Sequence, residues 1–122
     1  LMSRKGVWEN DLILSNAIVA SVREPRPEIV GATIANPAGF PDATEIYGLL
    51  WWTNANGVIP EAPRDTFWSW GLHDTLIIVV PSLDLVIARA GVRGWRVQNE
   101  FWNGDYSALA PFLIPIVESI GP

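Results

Sequence analysis

Hydrophobic residues in this chain fall into short runs whose spacing changes along its length. From Leu12 to Arg23 the apolar positions Ile18, Val19 and Val22 recur at helical spacing, and Ser15 stands where an N-cap belongs. Pro25 and Pro27 close that helix, because a residue preceding proline avoids the helical region. From Glu24 to about Glu45 the period is lost. Pro25, Pro27, Pro37 and Pro41, with Gly31 and Gly39, predict an irregular connection there. It is longer than the roughly 12–15 residues that compact domains tolerate in a connection. It reads as a surface excursion, with the wall or lid of a site as the alternative.

Tyr47 to Thr53 is aromatic and apolar, a strand closed by the turn residues Asn54-Ala55-Asn56-Gly57. A connection with Pro60, Pro63 and Asp65 leads into the densest strand signal: Thr66 to Leu72, Thr75 to Val80 and Leu85 to Ala90. Pro81-Ser82-Leu83-Asp84 is too short for a crossover, so the last two strands must be antiparallel. The unbroken run Ile77-Ile78-Val79-Val80 predicts a central strand covered on both faces. Asn103-Gly104 marks a further turn. After it Leu109, Phe112, Leu113, Ile116, Val117 and Ile120 return to helical spacing. Asp105 or Ser107 can cap that helix, Pro111 suits its first turn, Pro115 kinks or restarts it, and Gly121 stops it. The whole pattern predicts an α/β chain of the α+β type, an antiparallel sheet with a C-terminal helix packed on it.

Composition narrows the function classes. The net charge of −5 and only 8 scattered Lys and Arg argue against nucleic acid, whose phosphates need clustered cations. The absence of cysteine removes disulfides, thiolate zinc sites and thiol nucleophiles. One histidine and dispersed acids make no metal site, and no cofactor motif is present. No uncharged apolar run approaches the roughly 20 residues a membrane span needs. The opening Leu1-Met2-Ser3-Arg4-Lys5 lacks the apolar core of a signal peptide and reads as the middle of a longer protein. An apolar fraction of 49% in 122 residues suggests that some surface meets other protein.

Three segments taken in order carry a resemblance. They are Tyr47-Gly48-Leu49-Leu50-Trp51-Trp52, then Trp68-Ser69-Trp70-Gly71-Leu72-His73, then Ile78-Val79-Val80-Pro81-Ser82-Leu83-Asp84-Leu85-Val86-Ile87. Together they resemble the class C β-lactamase-like serine hydrolases, with the related penicillin-binding-protein-like esterases and amide hydrolases. Lys5-Gly6-Val7-Trp8-Glu9-Asn10 and Leu12-Ile13-Leu14-Ser15 look like the stretch leading into a late helix of that fold. The resemblance covers most of the chain and implies that residues 1–122 are the C-terminal segment of such a domain, a partial β-lactamase/transpeptidase-like fold. Export to the periplasm or beyond the cell is the compartment it suggests.

In that family the nucleophile lies in Ser-x-x-Lys and a second proton-handling group in Tyr-x-Asn. None of the serines at 3, 15, 21, 69, 82, 107 and 119 has Lys three residues on, and neither Tyr47 nor Tyr106 has Asn two residues on. Both elements lie upstream in the family, so the absence reads as truncation, cleavage or a separately numbered segment. The missing part is then the expected partner, and a small ester or amide the expected substrate. What remains is the strand lining the cleft, Lys-Thr-Gly in β-lactamases. Here Ser69-Trp70-Gly71 stands in that register, with Gly71-Leu72-His73 as the alternative.

The resemblance then implies that the Leu72 backbone N–H donates to the oxyanion and that Gly71, lacking a Cβ, lets substrate approach. Trp70, Ser69 and His73 are the implied substrate-binding residues. Ser69 in place of Lys removes the cation that holds a penicillin-type carboxylate and points to an ester or amide hydrolase. His73 could orient substrate, or it could be an ordinary hydrogen-bonded histidine at a sheet edge; Asp74 reads as a turn carboxylate. Trp51, Trp52, Trp68 and Trp70 divide between cleft and core, with Trp70 the cleft candidate; Trp95 and Trp102 read as packing. Arg64 and Asp65, with Arg93 and Arg96, read as solvated charges. The competing reading is a small Trp-rich module that binds carbohydrate or peptide without catalysis.

Overall fold

The computed structural model describes residues 1–35, 37, 40–71, 75–91 and 109–120. Expectations for Leu72, His73, Asp74, Arg93, Trp95, Arg96, Trp102, Asn103-Gly104, Asp105, Ser107 and Gly121 lie outside the described residues. Ten elements follow one another. A hairpin of β1 (Val7–Trp8) and β2 (Asp11–Leu12) precedes α1 (Asn16–Ser21) and α2 (Ala43–Ile46). Then come β3 (Trp52–Thr53), β4 (Phe67–Trp70), β5 (Leu76–Val80), a 3-10 turn at Pro81–Leu83, β6 (Leu85–Arg89) and α3 (Ala110–Ile120). The larger sheet is wholly antiparallel in the order β3-β4-β5-β6. The fold is therefore mixed α and β, with antiparallel sheets and a C-terminal helix.

The register divides the sheet into two faces, because side chains alternate along a strand. Trp68 opposes Ile78, and Trp70 opposes Leu76. Trp68, Leu76, Ile78 and Val80 meet Leu109 and Leu113, at and within the start of α3, in one buried cluster with Ile46, Ile59 and Ala62, and Trp70 packs partly buried against it. Val117 and Phe112 pack on its margin, and the Arg89 guanidinium lies 5.0 Å from the Phe112 ring centre. Among the described residues, the opposite face is covered only at one end. There Phe67 and Val79 pack against Val22 of the α1 terminus, with Met2 and Trp51 alongside. Ile77 and Val86, on that same face, are 42% and 55% exposed, so the sheet is not covered on both faces as the apolar run suggested.

Several boundaries differ from the sequence pattern, each for a local reason. Leu12 pairs with Val7 in the first hairpin instead of entering a helix. The helix begins after Ser15, whose hydroxyl accepts the Ile18 N–H at 3.3 Å as an N-cap should. Of its apolar residues Val19 is buried and Ile18 is exposed. Tyr47–Thr53 is not one strand. The Gly48 N–H donates to the Trp51 carbonyl at 2.7 Å, and Leu50 takes a left-handed φ of 64°, so the chain reverses over four residues. Gly48 is needed there, since a Cβ would sit 2.7 Å from the Glu24 carbonyl oxygen. α2 lies at the end of the segment expected to be irregular, and its Ile46 is fully buried. Asp65 is not a free surface charge. It accepts from both the Ser82 N–H at 2.7 Å and the Ser82 hydroxyl at 2.9 Å, pinning the β5–β6 turn. α3 continues through Pro115.

Candidate functional site

β3 has only two residues, and its ladder with β4 ends at the Trp52–Trp68 pair. β4 runs two residues further, through Ser69 and Trp70. The chain that would continue the pairing turns away at Gly48–Trp51. It is anchored where Gly48 abuts the Glu24 carbonyl and where the Arg26 N–H donates to the Tyr47 carbonyl at 3.1 Å. The space left beside the end of β4 is an open depression of about 510 Å³, bordered by Ser69 and Trp70 of β4, Trp52 of β3, Ala43 and Thr44 of α2, and Ile29, Tyr47 and Leu50. That size falls within the roughly 300–1,000 Å³ common for small-molecule sites.

Aromatic packing sets the walls. The Trp52 ring stacks on Phe40 at 6.1 Å with an interplanar angle of 6°, and Tyr47 meets Trp52 edge-on at 4.6 Å and 64°. These contacts hold the indole in one orientation, as offset and edge-to-face pairs do. Trp51, by contrast, packs edge-on against Phe67 at 5.2 Å on the other face of the sheet. Trp68 is core. Of the tryptophans the sequence divided between cleft and core, Trp70 and Trp52 therefore border the depression.

The other predicted site residues fall as follows. Ser69 borders the depression beside Trp70. Gly71 follows β4, and its N–H donates to the Thr75 carbonyl at 2.7 Å, closing the β4–β5 connection. A Cβ at Gly71 would meet Thr75 O at 3.6 Å, an ordinary contact, so the fold alone does not demand glycine there. Leu72 and His73, outside the described residues, have no assigned place in the site.

Thr44, Tyr47, Leu50, Ala43 and Ile29 were not among the sequence candidates, whereas Trp52 was one of the four tryptophans divided between cleft and core. Tyr47 and Leu50 belong to one of the segments carrying the resemblance, and Ile29 and Ala43 to the stretch read as a surface excursion or site wall. That wall reading is the signal from which they were recoverable.

The lining carries three hydroxyls, on Thr44, Tyr47 and Ser69, and no formal charge among the described residues. Nearby, Arg26 donates through Nε and Nη2 to the two carboxylate oxygens of Glu28 at 3.1 and 3.0 Å. The Glu28 carboxyl is held below its ordinary range, first by its own backbone N–H and then by the Arg26 charge. Among the described residues no group of three His, Cys, Asp or Glu could hold a metal, and no helix is long and apolar enough to cross a membrane. Comparison with protein-family models, with curated proteins and with solved structures finds no match.

Proposed function

We propose that the chain forms the cleft wall of a serine hydrolase acting on ester or amide bonds through an acyl-enzyme, the C-terminal part of a β-lactamase-like domain. The observation that carries this reading is the end of β4. It outruns β3 by two residues, and the Ser69-Trp70 pair there borders a depression that combines aromatic walls with hydroxyl groups. A strand end beside a pocket is where backbone N–H groups can be aimed at a developing oxyanion. The sheet order and the C-terminal helix on one face support the same reading at coarser grain. In it, a serine outside this chain attacks the carbonyl and a neighbouring base takes its proton. The Leu72 N–H helps hold the tetrahedral oxyanion, the alcohol or amine leaves carrying the proton the base took, and water then hydrolyses the acyl-enzyme to release the acid.

The aromatic lining favours a second reading. Trp52, Tyr47 and Trp70 could serve a carbohydrate- or peptide-binding module that needs nothing beyond these residues.

Labelling of the natively isolated protein with a fluorophosphonate, followed by intact-mass analysis under denaturing conditions, separates the two. The hydrolase reading expects label on a serine in Ser-x-x-Lys, in a polypeptide continuous or tightly associated with these residues. Leu72→Pro, which removes the N–H, should slow labelling by about 10²–10³-fold while Leu72→Ala leaves it nearly unchanged. A single unlabelled species of 13.5 kDa that folds and binds a saccharide would sink it.

A further inference from the structure

We propose that the depression beside β4 takes an uncharged aromatic group and discriminates against carboxylates. The proposal rests on the hydrolase reading for its meaning, since the ligand would be the aryl part of an ester or amide, but not for its test.

Three observations carry it. The first is charge. None of the described lining residues is charged, and the neighbouring Arg26 is already forked onto Glu28, so a bound carboxylate would lose water without gaining a cation. The second is shape. Trp52 is fixed by Phe40 and Tyr47, and Trp70 lines the same depression, giving flat apolar walls that suit a ring better than a flexible chain. Thr44, Tyr47 and Ser69 supply hydroxyls that can donate to a neutral carbonyl.

The third is Leu50. It borders the depression with 74% of its surface exposed and a left-handed φ of 64°. Leucine is poorly suited to that backbone region, which Asn, Asp and Gly tolerate. The fold thus holds an apolar side chain at the mouth of the depression in a conformation that a polar residue would occupy at lower cost. Such outliers gather at ligand sites.

The test uses a matched pair of probes, 2-acetonaphthone and 2-naphthoate, which share a ring and differ by a methyl group in place of a carboxylate oxygen. Neither is cleaved, so binding is read on the natively isolated protein, the same material used for the serine labelling. Titration is followed by the indole N–H resonances in heteronuclear NMR. The ketone should bind at least about tenfold tighter than the carboxylate, because the carboxylate gives up part of its hydration with no lining cation to offset the loss. It should shift the Trp52 and Trp70 indole signals and leave that of Trp8, 61% exposed on the first hairpin, in place.

Leu50→Asn, which suits the backbone and keeps the fold, should weaken the ketone. Leu50→Arg should raise affinity for naphthoate and narrow the preference. Equal affinity for the two probes, a preference for naphthoate, indifference to both Leu50 variants, or no saturable binding overturns the proposal. A failure here leaves the serine-labelling result standing. A failed labelling with the ketone preference intact leaves an aryl-binding site in a chain that is not a hydrolase.

Discussion

Thr66 is fully buried, and its hydroxyl has no hydrogen-bond partner among the described residues. Burying an unpaired hydroxyl costs about 1–3 kcal/mol by mutational measures. Valine has the same branched shape and the same strand preference. Thr66→Val is therefore expected to stabilise the chain by about 1 kcal/mol, read as a higher urea midpoint at unchanged slope. A lower midpoint would mean that the hydroxyl is served by a trapped water. Asn54 shows the opposite case. Also fully buried, it donates from Nδ2 to the carbonyls of Ile59, Ala62 and Pro63 at 2.9, 3.1 and 3.2 Å, and its Oδ1 accepts the Ile59 N–H at 2.8 Å. The sequence marks Asn54 only as a turn former, and the Gly57 N–H does donate back to its carbonyl at 2.8 Å. Its second role depends on where three later carbonyls converge, which no local pattern encodes. The Ser15 cap was legible because it needs only the next three residues.

At the scale of elements, legibility follows the length of the periodic signal. β4, β5 and β6 and the C-terminal helix stand within one residue of their expected ends wherever those ends are described, because each carries a sustained run. The hairpin of β1 and β2 was missed because each strand has two residues, too few for alternation to register. α2 has four residues and an Asp42 N-cap position with no side-chain cap bond, so it gave no start signal. The reversal at Gly48–Trp51 was hidden by its own composition, since Leu49, Leu50 and Trp51 read as strand and only Gly48 hints otherwise. The depression was half legible for the same reason. Ser69 and Trp70 lie on a strong strand, whereas the walls opposite them come from the short helix and the hidden turn.

α3 yields a prediction at this scale. Pro115 is exposed within it and cannot donate to the Pro111 carbonyl. Pro115→Ala restores that bond and loses no core contact. Proline costs about 3 kcal/mol in a helix interior, while alanine gives back some unfolded-chain entropy, for a net gain of about 2 kcal/mol. Thermal unfolding followed by far-ultraviolet circular dichroism should show a higher midpoint and more helix. A drop would mean that the proline itself helps seat Leu113 against the sheet.

The whole molecule is asymmetric about its sheet. One face is sealed by α3, α2 and the loop through Ile59 and Ala62. The other, among the described residues, is sealed only where Val22, Met2 and Trp51 cover Phe67 and Val79. Beyond that cover, Ile77, Val86 and Ala88 form an apolar strip across β5 and β6 that faces water. Trp8, Leu12 and Ile13 expose a second apolar group on and just after the first hairpin. If the strip dominates the apolar exposure, replacing Ile77 and Val86 together with threonine should lower the fluorescence of a bound anilinonaphthalene dye. Threonine keeps the strand preference, and both positions are largely solvated, so the thermal midpoint should stay within about 3 °C. The matched control, Leu12 and Ile13 to threonine, should change the dye signal less, because those residues stand on a narrow two-strand ribbon and not on a flat sheet. The reverse ranking would assign the dye to the hairpin. A large fall in midpoint for the sheet variant would mean that Ile77 and Val86 contribute to the core despite their exposure.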